Sequence, residues 1–146
     1  MRSLLQTVPI LAGLDEAALD LLWARAEVSQ AQAGSVIVRE GDVGNRLFVI
    51  AEGSVKVCKD FGQPKEIELT RLGKGEFFGE MCILDTLPRS ATVQALTDTA
   101  LFSLTSLTFH QLYKAAPAQY SILVLNLARD LSRRLRRLDE KFTARC

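Results

Sequence analysis

Phe77-Phe78-Gly79-Glu80-Met81-Cys82-Ile83-Leu84-Asp85-Thr86-Leu87-Pro88-Arg89-Ser90-Ala91-Thr92-Val93 gathers the parts of an anion pocket into one stretch. Gly79 permits a close backbone approach. The apolar run Met81 to Leu84 can form one helical turn whose free amides point at an anion, with Glu80 beside it as an acceptor. Pro88 fixes the backbone before Arg89, whose planar guanidinium is suited to gripping two oxygens of one phosphate. Ser90 and Ala91 follow with small side chains and accessible amides. Taken alone, Glu80 and Arg89 would be a surface ion pair of little worth. The full string is too particular for that.

A ligand that fits carries one phosphate and a neighbouring hydroxyl able to donate to a carboxylate, and a cyclic nucleotide has both. Phe78-Gly79-Glu80 with Pro88-Arg89-Ser90-Ala91-Thr92 resembles the phosphate-binding cassette of the cyclic nucleotide-binding domain family, which includes catabolite activator proteins, kinase regulatory subunits and nucleotide-gated channels. The resemblance implies that Glu80 takes the ribose 2′-hydroxyl and Arg89 the cyclic phosphate. It also implies that Phe78, Gly79 and Met81, with the amides around Cys82, Ser90 and Ala91, complete the cradle. Cys82 is a departure, standing where relatives commonly have alanine or glycine.

At 146 residues, 48% of them hydrophobic, the chain is one domain large enough for its own core. A formal net charge of +1 gives no general pull toward nucleic acid or membrane. Cys58, Cys82 and Cys146 form an odd, widely spaced set, which argues against a disulfide framework or a zinc cluster and for a cytoplasmic setting. The N-terminus lacks the uninterrupted apolar core of a signal peptide, and the longest strongly apolar run, Ile122 to Leu125, is far too short for a bilayer.

Upstream of the cassette, residues 3 to 30 read as helical, broken at Pro9 and Gly13 and restarting behind Asp15 as N-cap, with Leu19, Leu22, Trp23 and Ala26 on one face. Val8 to Leu14 also resembles the lead-in helices of the same family. From Ala33 the pattern turns to short β runs: Val36-Val38, Leu47-Ala51, Ser54-Cys58, Glu66-Leu69, Val93-Leu96 and Leu101-Leu104. Glycine-rich turns separate them, and Gly41, Gly44 and Gly53 read as hairpin corners needing positive φ, belonging to the fold and not the site. This spacing indicates an antiparallel sandwich or jelly-roll. The fold expected is therefore α+β. It is a β-jelly-roll, or double-stranded β-helix, with N-terminal helices over 1–32, the roll over 33–105 holding the cassette at 77–93, and helices over 106–146, all in one cyclic nucleotide-binding domain, 1–146.

Downstream, Thr105 or Ser106 can cap a short helix through Phe109, Leu112 and Tyr113, and Pro117 separates it from a long one. Val124, Ala128, Leu131, Leu135, Leu138 and Phe142 step by fours and threes, a coiled-coil-like seam of about two and a half heptads. Two uses stay open: covering the domain's own apolar face, or pairing with a second copy or an effector protein. Arg129, Arg133, Arg134, Arg136 and Arg137, with interspersed acids, read as a solvated face rather than a nucleic-acid contact. No helix-turn-helix follows them, so either the chain is a stand-alone receptor working through a partner or it is cut from something larger.

No catalytic residue is assigned. The single histidine, His110, is far from the cassette, no cluster of metal ligands exists, and Cys82 lacks a nearby histidine base. No cofactor or metal is expected beyond the ligand itself, cyclic AMP or cyclic GMP. In the family a residue of the C-terminal helix often covers the base, and by register the candidates are Leu135 and Leu138, with Arg134 beside them. Leu69 and Thr70, in the strand before the cassette, line the base by family position. The function expected is a regulatory, signal-transducing cyclic nucleotide receptor that signals through the C-terminal helix. The alternatives are a degenerate scaffold, an interaction module, or a nucleic-acid regulator without its recognition module.

Overall fold

The computed structural model describes residues 2–85 and 87–144, with all side chains among them except those of Arg2, Cys82 and residues 142–144. The side chains of Cys82 and Phe142, and Thr86 and Cys146 as a whole, thus lie outside what is described. Two short 3-10 segments, Arg2–Thr7 and Pro9–Leu11, lead into α1, Glu16–Arg25. Asp15 caps α1 as expected, its Oδ1 accepting from the Ala18 N–H at 2.8 Å.

Eight strands follow: β1 (Glu27–Ala31), β2 (Val36–Val38), β3 (Arg46–Glu52), β4 (Val55–Lys59), β5 (Ile67–Leu72), β6 (Phe77–Phe78), β7 (Thr92–Ala95) and β8 (Thr99–Thr105). α2 (Met81–Leu84) sits between β6 and β7, and α3 (Ser106–Ala115) and α4 (Pro117–Ala144) close the chain. All pairings are antiparallel and they nest: β4 with β5, β3 with β6, β2 with β7, β1 with β8. Nesting of this kind is a hairpin folded over on itself, the jelly-roll expected from the strand spacing. Two sheets result, ordered β1-β8-β3-β6 and β2-β7-β4-β5.

The helical expectation for residues 3–30 fails at its end. Ala26 turns extended, and β1 pairs along β8 from Glu27↔Ser103 to Ala31↔Thr99. Edge pairing overrides the modest helix preference of Glu, Gln and Ala there. The two-residue β6 was also not anticipated.

Alternation along β3 divides the core in two. Leu47 and Val49 face a cluster built by the N-terminal segments, α3 and the first half of α4, while Ile50 faces the space between the sheets with Val55, Leu72, Phe78, Val93 and Leu101. Adjacent Phe77 and Phe78 split likewise: Phe77 joins the helical core, and Phe78 stacks on Phe48 between the sheets, centroids 5.1 Å apart. The segment entering the cassette is thereby anchored on both faces. Trp23 packs edge-on against Phe102 at 5.9 Å.

α4 is tied down through its first half. Leu123 and Leu127 are buried, the Asn126 amide donates to the Ile10 and Ala12 carbonyls, and the Asp15 N–H donates to Gln119 Oε1. Along the expected seam, Val124 and Leu131 are half-buried, whereas Ala128, Leu135 and Leu138 are exposed. The stripe covering the domain is the neighbouring one, Leu123, Leu127, Asp130 and Arg134. Among the described residues, no helix is long and apolar enough to cross a membrane.

Candidate ligand-binding pocket

Arg89 is held by backbone on every side. Its N–H donates to Asp42 O at 2.8 Å, its carbonyl accepts from the Gly41 N–H at 2.9 Å, and its Nη1 donates to Arg46 O at 3.1 Å and Gly79 O at 3.4 Å. The guanidinium carbon stands 5.8 Å from the Phe48 ring centre. A guanidinium has five N–H donors, so these bonds fix its place and leave donors for an oxyanion.

Two glycines make that position accessible. A Cβ at Gly44 or at Gly79 would run into the Arg89 guanidinium, and Gly79 also has a φ of +85°. Gly44 thus departs from the hairpin-corner role expected of it. It has no positive φ, unlike Gly41 and Gly53, and it is small because Arg89 lies against it. It serves the site as well as the fold.

Glu80 is 9% exposed, at the start of α2. Its ion-pair partner is not Arg89 but Arg134 of α4, Oε1 to Nη1 3.8 Å. That separation is beyond a hydrogen bond, so the carboxylate keeps its capacity to accept from a hydroxyl. Arg134 also donates to the Phe77 carbonyl and lies 4.2 Å from the Phe77 ring centre. Its Nε is 2.9 Å from Asp130 Oδ2, a close charge pair whose angle is too poor for a directed hydrogen bond. One arginine thus links the long helix to β6 and the cassette. Beyond it, residues 135–141 are all exposed.

These groups border an open pocket on the inner side of the β2-β7-β4-β5 sheet. Of the residues singled out in the sequence, Phe78, Gly79, Glu80, Met81, Arg89, Ser90, Ala91, Thr70 and Arg134 line it. Leu69 does not, because adjacent residues of a strand face opposite sides. Leu135 and Leu138 are off the pocket, 62% and 47% exposed: one residue past Arg134 the helix turns Leu135 to another face, and Leu138 lies a full turn further along.

Val38, Val57, Leu72 and Val93, none of them expected as a site residue, also line the pocket. Three of them form one cross-strand row with Thr70: Val38↔Val93, Val93↔Val57 and Val57↔Thr70 are register partners. Alternation could have put each on an inner face, and the row follows only from the sheet order. An apolar wall on one side, with Arg89 and Glu80 on the other, suits a flat apolar ring joined to a hydroxylated, anionic group.

Among the remaining candidates, Cys58 is buried on β4 beside β7, and burial followed by the nearby Glu66 pushes its thiol above the ordinary range. His110 is exposed on α3, its ring 6.4 Å from that of Tyr113.

A family model described as the cyclic nucleotide-binding domain matches residues 28–116. A cAMP-dependent protein kinase regulatory subunit of Schizosaccharomyces pombe is 37% identical over 110 residues, 75% of this chain and 26% of the relative. The cyclic AMP receptor protein of Thermus thermophilus is 35% identical over 131 residues, 90% of this chain and 59% of the relative. The chain therefore spans about a quarter to three fifths of the length of these relatives. A solved cyclic nucleotide-binding domain from Methylobacillus flagellatus superposes with a TM-score of 0.86 at 23% identity, covering 99% of this chain and 81% of that one, which supports the fold.

Proposed function

Because the chain belongs to the cyclic nucleotide-binding domain family, we propose that it is a receptor without catalytic activity that binds cyclic AMP or cyclic GMP and signals through α4. The observation that carries this is the pairing of a backbone-clamped Arg89 with a buried Glu80 in one pocket. The cationic group takes the cyclic phosphate, Glu80 accepts from the ribose 2′-hydroxyl, and the base lies along the valine row and Thr70. Calorimetric titration with cyclic AMP and with cyclic GMP is expected to show saturable binding. Failure of both up to millimolar concentration would leave a degenerate scaffold as the better account.

The role of Glu80 has its own check. A 2′-deoxy ligand leaves a buried carboxylate without its donor, which costs about 1–3 kcal/mol, so binding is expected to weaken roughly five- to 150-fold. Equal affinity for ribo and deoxy ligands would remove Glu80 from the ribose site.

Output through α4 is supported by Arg134, the last residue tying that helix to the cassette before its exposed end. A ligand that engages Glu80 competes with Arg134 for the same carboxylate. It can bias the helix only by as much as it binds one position better than the other. Saturating cyclic AMP is expected to lower hydrogen exchange from Ala128 toward the C-terminus. Protection confined to the cassette would make α4 plain packing. The exposed stripe of Ala128, Leu135 and Leu138 supports an output surface for a second copy or an effector, and sedimentation with and without ligand separates the two.

A further inference from the structure

We propose that Met81 is an oxidisable sulfur at the mouth of this pocket, and that its conversion to the sulfoxide by a peroxide weakens ligand binding there. The inference rests on the cyclic nucleotide reading of the pocket. Met81 lines the pocket together with Arg89 and Ser90, yet it is 49% exposed. Methionine placed for packing is usually buried. Here the thioether reaches across the cassette, from the first residue of α2 to the limb that carries Arg89, and its Sδ lies 3.5 Å from Ser90 Oγ. The sulfur is both reachable by a small oxidant and adjacent to the groups that frame the anion position.

The chemistry balances with hydrogen peroxide as the oxidant. A sulfur lone pair attacks one peroxide oxygen, the S–O bond forms as the O–O bond breaks, and the departing hydroxide takes the proton of the transferred oxygen and leaves as water. Sulfur loses two electrons and the peroxide gains them. A weak acceptor thereby becomes a strong, polar one. The new oxygen can hold the Ser90 hydroxyl, and it turns the negative end of an S–O dipole toward a pocket where Arg89 attracts an anion. Both effects oppose a cyclic phosphate. Cys58 competes poorly for the oxidant, being buried with its thiol pKa raised. Methionine sulfoxide is reversible by its reductases, so the device can be reset.

The sequence contains two methionines, Met1 and Met81, and fragment-ion mass spectrometry distinguishes an added oxygen on Met81 from one on the adjacent Cys82. The protein is treated with hydrogen peroxide, then with a thiol reductant to reverse cysteine disulfides and sulfenic acids, and titrated with cyclic AMP. Affinity is expected to fall about tenfold or more relative to the untreated sample. Methionine sulfoxide reductase is expected to restore it. Met81→Leu, compared with its own untreated sample, is expected to show no loss, and saturating cyclic AMP is expected to slow oxidation of Met81 in the wild type. Full oxidation of Met81 with affinity kept within threefold, an equal loss in Met81→Leu, or oxidation indifferent to ligand would each overturn the proposal. An untreated protein that binds neither cyclic AMP nor cyclic GMP would overturn the reading of the pocket, and this proposal with it.

Discussion

An Arg89→Ala protein is expected to fold and to bind cyclic nucleotide roughly thirtyfold to several thousandfold more weakly than the wild type. The size follows from truncating one partner of a desolvated, hydrogen-bonded charge pair, about 2–5 kcal/mol. The fold should survive because, among the described residues, the guanidinium contributes two backbone hydrogen bonds, to Arg46 O and Gly79 O, each worth about 1 kcal/mol net. The loop itself is held by main-chain bonds between residue 89 and Gly41 and Asp42, which alanine retains. Arg89→Lys is expected to fall between, keeping the charge and losing the planar fork. Calorimetry on variants with wild-type melting curves checks this. A folded Arg89→Ala protein binding within threefold of wild type would place the phosphate elsewhere.

The cassette was legible in the sequence because its chemistry is contiguous. Gly79, Glu80, Arg89 and Ser90 fall within twelve residues, and any fold that closes that loop brings them together. Most strands were legible by composition and turns, since β2 to β5 are short and set off by glycine-bearing turns, whereas β1 and β6 were not. What required the structure was contact between distant segments. The row of Val38, Val93, Val57 and Thr70 exists only because β7 lies between β2 and β4, and β5 beyond β4, an order that no local pattern encodes.

Two departures from the sequence reading have the same origin. On α4 the apolar seam of Leu135 and Leu138 drew attention as the base lid, but helix rotation about the domain is set by Leu123 and Leu127 packing into the helical core. That rotation turns Arg134 inward and leaves Leu135 outside. Similarly, β1 reads as helix because edge strands bury little and so show little alternation: its burial pattern has no fully buried position. Where burial is weak, the sequence carries a weak signal for the fold, and pairing with β8 decides.

Gly44→Ala is expected to approach the loss predicted for Arg89→Ala without replacing any residue that contacts ligand. The alanine Cβ would land on the Arg89 guanidinium, so one of the two must move. The atoms it meets are the far end of a flexible side chain, whereas Gly44 sits in a loop held by main-chain bonds between Gly41 or Asp42 and residue 89. The guanidinium should give way. Moving it pulls Nη1 from the Arg46 and Gly79 carbonyls and displaces the charge from the phosphate position, where a bidentate grip tolerates little misplacement. Because Gly44 does not adopt a positive φ, alanine brings no backbone strain, and the melting temperature should change little. The double variant separates this route from a general softening of the loop. If Gly44 acts through Arg89, Gly44→Ala costs affinity in the wild type and almost nothing further in Arg89→Ala, the non-additivity of two residues serving one contact. Additive losses would show that Gly44 matters for loop stability alone.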